Sequence, residues 1–149
     1  MQPTQKETDL LKDLKGEEQL CVDKYTEYSS RANDPQLRNL FSQIAQTEQQ
    51  HLDTITQMMS GTVPQGGGSS SSQPTFTAYY TSETEEKKQD AHLCADLLAT
   101  EKHTSSMYDT SVFEFADEAA RSTLNHIQKE EQGHGKALYD YMSVNGMYN

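Results

Sequence analysis

The sequence predicts an all-α protein, a four-helix bundle made of two repeated helical hairpins joined by a long crossover linker. Three observations carry that expectation. Residues Leu10 to Met59 fall on residues 93–142 without a gap at an offset of 83, pairing Leu10 with Leu93, Asp13 with Asp96, Leu14 with Leu97, Arg38 with Arg121 and Ile44 with Ile127. Apolar residues recur at steps of three and four through both copies. Between the copies, Gly66-Gly-Gly-Ser-Ser-Ser-Ser72 lies in a tract of Gly, Ser, Pro and Gln that cannot bury apolar area.

A chain of 149 residues with 33% hydrophobic residues is one domain whose core is a narrow seam, which suits slim helices. The expected organisation is hairpin one over about 5–60, the linker over about 61–80 and hairpin two over about 82–145. The first helix is expected from Gln5 to about Ala32, with Leu11, Leu14, Glu18, Cys21, Tyr25 and Tyr28 on its inward face. Gly16 inside it costs roughly 1 kcal/mol relative to Ala and reads as tolerated. Asn33-Asp34-Pro35 breaks and restarts the chain, Asp34 capping the second helix and Pro35 filling a first position where its missing N–H is harmless. The second seam is Leu37, Phe41, Ile44, Glu48, His51, Ile55 and Met58, ending at Ser60-Gly61.

The linker is expected to be mobile. Its roughly 20 residues can span more than about 60 Å, enough to cross a bundle of about 40 Å, so the third helix can run in the same direction as the second. Thr81-Ser82 ahead of Glu85 and Glu86 reads as a capped start, followed by Leu93, Leu97, Glu101, Thr104, Tyr108, Val112 and Phe115. Asp117 is the expected cap of the fourth helix, whose seam is Ala120, Leu124, Ile127, Glu131, His134, Leu138 and Tyr141, closing at Asn145-Gly146. Met147 and Tyr148 form an apolar tail that docks on the bundle or on a partner.

Glu18, Glu48, His51, Glu101, Glu131 and His134 are the carboxylates and imidazoles on the otherwise mainly apolar seams, and the offset pairs them with one another. Counting from the turns, Glu18 and Glu48 are level, as are Glu101 and Glu131, each about 22 Å from its turn. Antiparallel packing of the hairpins brings four carboxylates and two imidazoles into one layer. Leaving them unpaired would cost several kcal/mol, and two divalent metal ions are the economical compensation. One Glu from each of two helices and Glu-x-x-His from each of the others is the ligand pattern of ferritin-like dinuclear proteins. Oxygen and nitrogen donors without thiolate suit iron or manganese, with zinc able to enter in vitro. Tyr25 and Tyr108 share the faces of Glu18 and Glu101 and are expected either to donate hydrogen bonds to the ligand carboxylates or to serve packing. Gly133 and Gly135 flank His134 and suggest a loosened or bulged helix there. No catalytic residue is assigned. His92, His103 and His126 fall off the seams and are expected in solvent, and Cys21 and Cys94 are expected as buried, inert thiols.

The net charge of −11 argues against nucleic acid and anionic membranes and favours cations as partners. No run approaches the roughly 20 apolar residues of a membrane span and no signal-type N-terminal run is present, so cytoplasmic synthesis is expected. With so little apolar area, a closed monomer, a surface homodimer and a swapped dimer are all accessible, the closed fold being favoured.

Asp34-Pro-Gln-Leu-Arg-Asn-Leu-Phe41, Asp96-Leu-Leu-Ala-Thr-Glu-Lys102, Tyr108-Asp-Thr110, Ile127-Gln-Lys-Glu-Glu-Gln-Gly-His134 and Tyr141-Met-Ser-Val-Asn-Gly-Met-Tyr148 resemble the spore coat protein F (coat F) family, most fully over 96–148. The resemblance implies a ferritin-like helical protein of endospore-forming bacteria that associates with the spore coat and with other coat proteins, with Glu101, Glu131 and His134 matching a recurring motif. Two functions compete from the residues: a coat component with a structural metal site, and a dinuclear oxidoreductase acting on peroxide, oxygen or ferrous iron.

Overall fold

The computed structural model describes residues 1–64 and 72–148, which form four α-helices and, among the described residues, no strand: α1 Gln5–Arg31, α2 Pro35–Met59, α3 Glu85–Glu114 and α4 Glu118–Val144. Each start is set by a short polar side chain. Thr4 and Glu7 close a capping box on α1, while Asp34 and Asp117 accept from Gln36 and Ala120 N–H on α2 and α4. The cap of α3 is Thr84, accepting from Lys87 N–H, rather than the Thr81-Ser82 expected. Thr84 is the last β-branched hydroxyl before the acidic first turn, and residues 72–80 ahead of it have no regular secondary structure.

The cross-helix bonds fix the topology. Asn33 pairs with Asp90, Tyr25 with Glu101, Cys21 with Thr104 and Tyr108 with Glu18, so α1 and α3 run antiparallel and α3 runs parallel to α2. A chain of four helices can do this only if the link from α2 to α3 crosses the bundle end to end. It does so along α4: Pro64 O accepts from Thr123 Oγ1, Gln73 Nε2 approaches Gly133 O at 3.4 Å, and Tyr79 and Tyr80 N–H both donate to Asn145. Phe76 packs edge-on against Tyr141, with ring centroids 5.4 Å apart. Residues 72–80 are therefore docked, a correction to the mobile linker expected from composition; Phe76, Tyr79 and Tyr80 supply anchors that the preceding Gly, Ser, Pro and Gln residues obscure. Residues 65–71, which hold all of the Gly/Ser run except its last serine, Ser72, lie outside the described residues. The tail also docks, Met147 against the core and Tyr148 on Tyr139 at 4.9 Å.

Two apolar clusters fill the seam. One contains Leu37, Phe41, Leu93, Leu97 and Leu138, the other Leu11, Leu14, Ile55, Phe115 and Leu124, and Glu18, Glu48, Glu101 and Glu131 are buried with them. Each fully buried Leu or Phe contributes about 1.5–3 kcal/mol, which allows the bundle to carry a polar layer. Among the described residues no helix is long and apolar enough to cross a membrane.

Candidate metal centre

Because α1 and α3 run antiparallel, helix positions level with one another in each hairpin also meet across the bundle. Two groups of donors result, each with ligand atoms within 4.8 Å of one another: Glu18, Glu48, His51 and Glu131, and Glu48, Glu101, Glu131 and His134. Glu48 and Glu131 belong to both groups, Glu18 and Glu101 to one each. All six carboxylates and imidazoles of the seams are thus brought together, and the two groups exchange under the 83-residue offset.

The histidines turn the same nitrogen inward. His51 Nδ1 lies 2.8 Å from Glu48 Oε1 and 3.2 Å from both Glu18 Oε2 and Glu131 Oε1. His134 Nδ1 lies 3.3 Å from Glu101 Oε2 and 3.4 Å from Glu131 Oε1, yet its alignment makes no hydrogen bond. Such spacings are those of donors aimed at common points: ligands about 2.1 Å from one ion at tetrahedral or octahedral angles stand about 3.0–3.4 Å apart. The buried oxygens Glu18 Oε1, Glu48 Oε2, Glu101 Oε1 and both of Glu131 likewise find no hydrogen-bond partner among the described residues. Each such orphan costs about 1–3 kcal/mol in a dry interior, so the residues fit cations and fit poorly without them.

Protons are the metal-free alternative, and the electrostatics show their pull. Burial, followed by the charge of Glu131, pushes the Glu101 carboxyl up to about 7. Burial raises Glu18 and, together with Glu131, raises Glu48 well above the carboxylate range. Burial also opposes the Glu131 charge, but contacts with His134 and His51 outweigh it and hold that carboxyl low. Both imidazoles titrate well above 6.5 despite burial, His51 because Glu130, Glu131, Glu18 and Glu48 surround it and His134 because Glu101, Glu131 and Glu48 do.

Tyr25 Oη donates to Glu101 Oε2 at 2.5 Å and Tyr108 Oη to Glu18 Oε2 at 3.0 Å, each phenol crossing to the terminal carboxylate of the other hairpin. Both rings are also fully buried among apolar neighbours, so hydrogen bonding and packing coincide. Helix α4 stays regular through Gly133 and Gly135, against the bulge expected there. Gly133 instead leaves room for the linker, since a Cβ there would lie 3.1 Å from Gln73 Nε2.

One residue of the site escaped the sequence reading. Glu130 Oε1 lies 2.9 Å from His51 Nε2 and 3.3 Å from His126 Nε2, which makes His126 half-buried and paired rather than solvated. A second carboxylate beside Glu131 was the available signal, but its counterpart at the offset is Thr47 and the repeat gave it no weight. His92 and His103 are exposed as expected. Cys21 and Cys94 are buried and free, and burial, with Glu48 next for Cys21 and Asp90 next for Cys94, pushes both thiols far up, out of reach of thiolate chemistry.

No curated protein and no solved structure matches the chain. Residues 89–149 match the Coat F domain, so the second hairpin carries the support for the coat F family; Glu101, Glu131 and His134 fall within the match and Glu18, Glu48 and His51 before it.

Proposed function

We propose that the chain is a spore-coat-associated, ferritin-like protein with a dinuclear iron or manganese site in the bundle core. The observation that carries the reading is the pair of four-donor groups sharing Glu48 and Glu131, with unpartnered buried oxygens on four glutamates. The Coat F match over 89–149 supports the coat association and other coat proteins as partners. Glu18 and His51 would hold one ion, Glu101 and His134 the other, and Glu48 and Glu131 both. Bound iron or manganese would supply charge compensation and one-electron chemistry with oxygen or peroxide. The chain's own residues bind and orient: Tyr25 and Tyr108 restrain Glu101 and Glu18, and Glu130 restrains His51.

Elemental analysis after reconstitution tests the site. About two equivalents of iron or manganese per chain are expected in the parent protein, with most lost in a Glu48→Ala/Glu131→Ala variant that removes both shared ligands. Protein that retains neither metal refutes the reading.

A second reading, an oxidoreductase acting on peroxide, oxygen or ferrous iron, is favoured by one observation. His134 is 12% exposed and lines a cavity of about 400 Å³ between α2 and α4, which gives small molecules a way in. Turnover of peroxide, and of oxygen with ferrous iron, by the loaded forms beside a His51→Ala/His134→Ala variant decides it. Equal inactivity of both, with retained incorporation into spores, leaves the structural role alone standing.

A further inference from the structure

The two donor groups match in composition but not in surroundings. His51 is 3% exposed and its outer nitrogen is engaged by Glu130 at 2.9 Å. At the equivalent place on α2 stands Thr47, and among the described residues nothing hydrogen-bonds the outer nitrogen of His134. His134 is 12% exposed whereas Glu18, Glu48, His51, Glu101 and Glu131 are 0–3% exposed. The cavity is lined by His134 and not by His51, and its wall mixes polar Gln43, Thr47, Gln73 and Glu130 with apolar Leu40 and Ile44.

We propose that the two metal positions are unequal: the position of Glu18, Glu48, His51 and Glu131 is the retained one, and that of Glu48, Glu101, Glu131 and His134 is exchangeable and takes small oxygen-donor ligands from the cavity. Glu130 is a positioning residue that makes the difference. With Nδ1 on the metal, the Nε2–H of His51 donates to Glu130, which fixes the tautomer and ring angle and makes the nitrogen a better donor. His134 lacks that support, so its ring is held by the metal and by packing alone. The inference rests on the dinuclear reading above.

Calorimetric titration of the full metal-free chain with Mn²⁺ tests it, together with the rate at which EDTA withdraws the metal. Two binding steps at least about tenfold apart are expected, with the weaker equivalent leaving first. Glu130→Ala weakens the tighter step by about 10–100-fold and leaves the other nearly unchanged, while Glu130→Gln, which keeps an acceptor, loses less. Thr47→Glu supplies the missing carboxylate on α2 and tightens the weaker step, narrowing the gap; this gain does not depend on Glu130→Ala folding normally. Two indistinguishable steps in the parent protein overturn the inequality while leaving the dinuclear site intact, as does equal weakening of both steps in a Glu130→Ala chain with unaltered circular dichroism. Absence of binding both of Mn²⁺ and, in the same titration run without oxygen, of Fe²⁺ removes the dinuclear reading and this inference together.

Discussion

At one end of the bundle Asp90 reaches from α3 to the turn between α1 and α2 and accepts from Asn33 and Asp34 N–H at 2.8 and 3.0 Å; at the other end Glu7, its equivalent 83 residues earlier, reaches from α1 to the turn between α3 and α4 and accepts from Ala116 N–H at 3.4 Å. The device is the same, but its surroundings are not. Asp90 also accepts from Tyr80 Oη, and the neighbouring Asp34 is fully buried and accepts from Tyr141 Oη at 2.7 Å. Glu7 divides its carboxylate between the far turn and the cap of its own helix. The linker and tail dock at the Asp90 end, where Tyr79 and Tyr80 meet Asn145, and seal that turn from water. A chain whose residues match at an offset of 83 therefore keeps its helix register twice over, while the segments that occur once decide which copy of a shared bond is dry and strong.

The largest test of this contrast is Asp90→Ala against Glu7→Ala in the metal-free protein. Asp90→Ala leaves two backbone donors and a phenol without their acceptor in a buried place and is expected to lower the stability read by urea unfolding by about 3 kcal/mol, Glu7→Ala by about 1 kcal/mol. Equal losses would mean that the docked linker does not strengthen its end.

Metal should stabilise the layer between the two ends. At a hundredfold excess over its dissociation constant, Mn²⁺ raises stability by about 2.7 kcal/mol per site, visible as a higher Tm. A pH dependence accompanies it. The Glu101 carboxyl titrates near 7 in the folded state against 4.5 unfolded, so the folded chain keeps a proton that the unfolded chain has already released. Its stabilisation is present below about 4.5 and is lost as pH rises to about 7. Glu18 and Glu48 shift in the same direction, and so do His51 and His134, which extend the loss above 6.5. Glu131, shifted down, acts in the opposite sense but below 4.5. The metal-free Tm should fall from pH 5 to 7.5, the fall should flatten when Mn²⁺ is bound, and binding should release more protons at pH 6 than at pH 8. A metal-free Tm that rises over this range would contradict the protonated layer.

Smaller effects separate the two halves of the site. Tyr25→Phe removes a bond of 2.5 Å and Tyr108→Phe one of 3.0 Å to otherwise equivalent carboxylates, so losses of about 2 and about 1 kcal/mol are expected in urea unfolding of the metal-free chain. The smallest concerns Gly133, whose counterpart in the first hairpin is Gln50. The one obstacle to a Cβ is the end of the flexible Gln73 side chain, so Gly133→Ala should stabilise α4 by about 0.5–1 kcal/mol. A loss instead would show that the linker needs that gap.

Sequence alone determined the four helices, the caps Asp34 and Asp117, and the common height at which Glu18, Glu48, His51, Glu101, Glu131 and His134 meet, because periodicity, capping and a gapless repeat are local or one-dimensional signals. Composition misjudged residues 72–80, since averaging them with the Gly/Ser tract before them hides the three rings, Phe76, Tyr79 and Tyr80, at which the segment is seated. Only the tertiary structure decided that Glu48 and Glu131 are shared while Glu18 and Glu101 are not, that Nδ1 of each histidine faces inward, and that Glu130 reaches His51 from α4. Those outcomes depend on side-chain rotamers and on which helices run antiparallel, and residues 79 apart such as His51 and Glu130 carry no mutual signature along the chain.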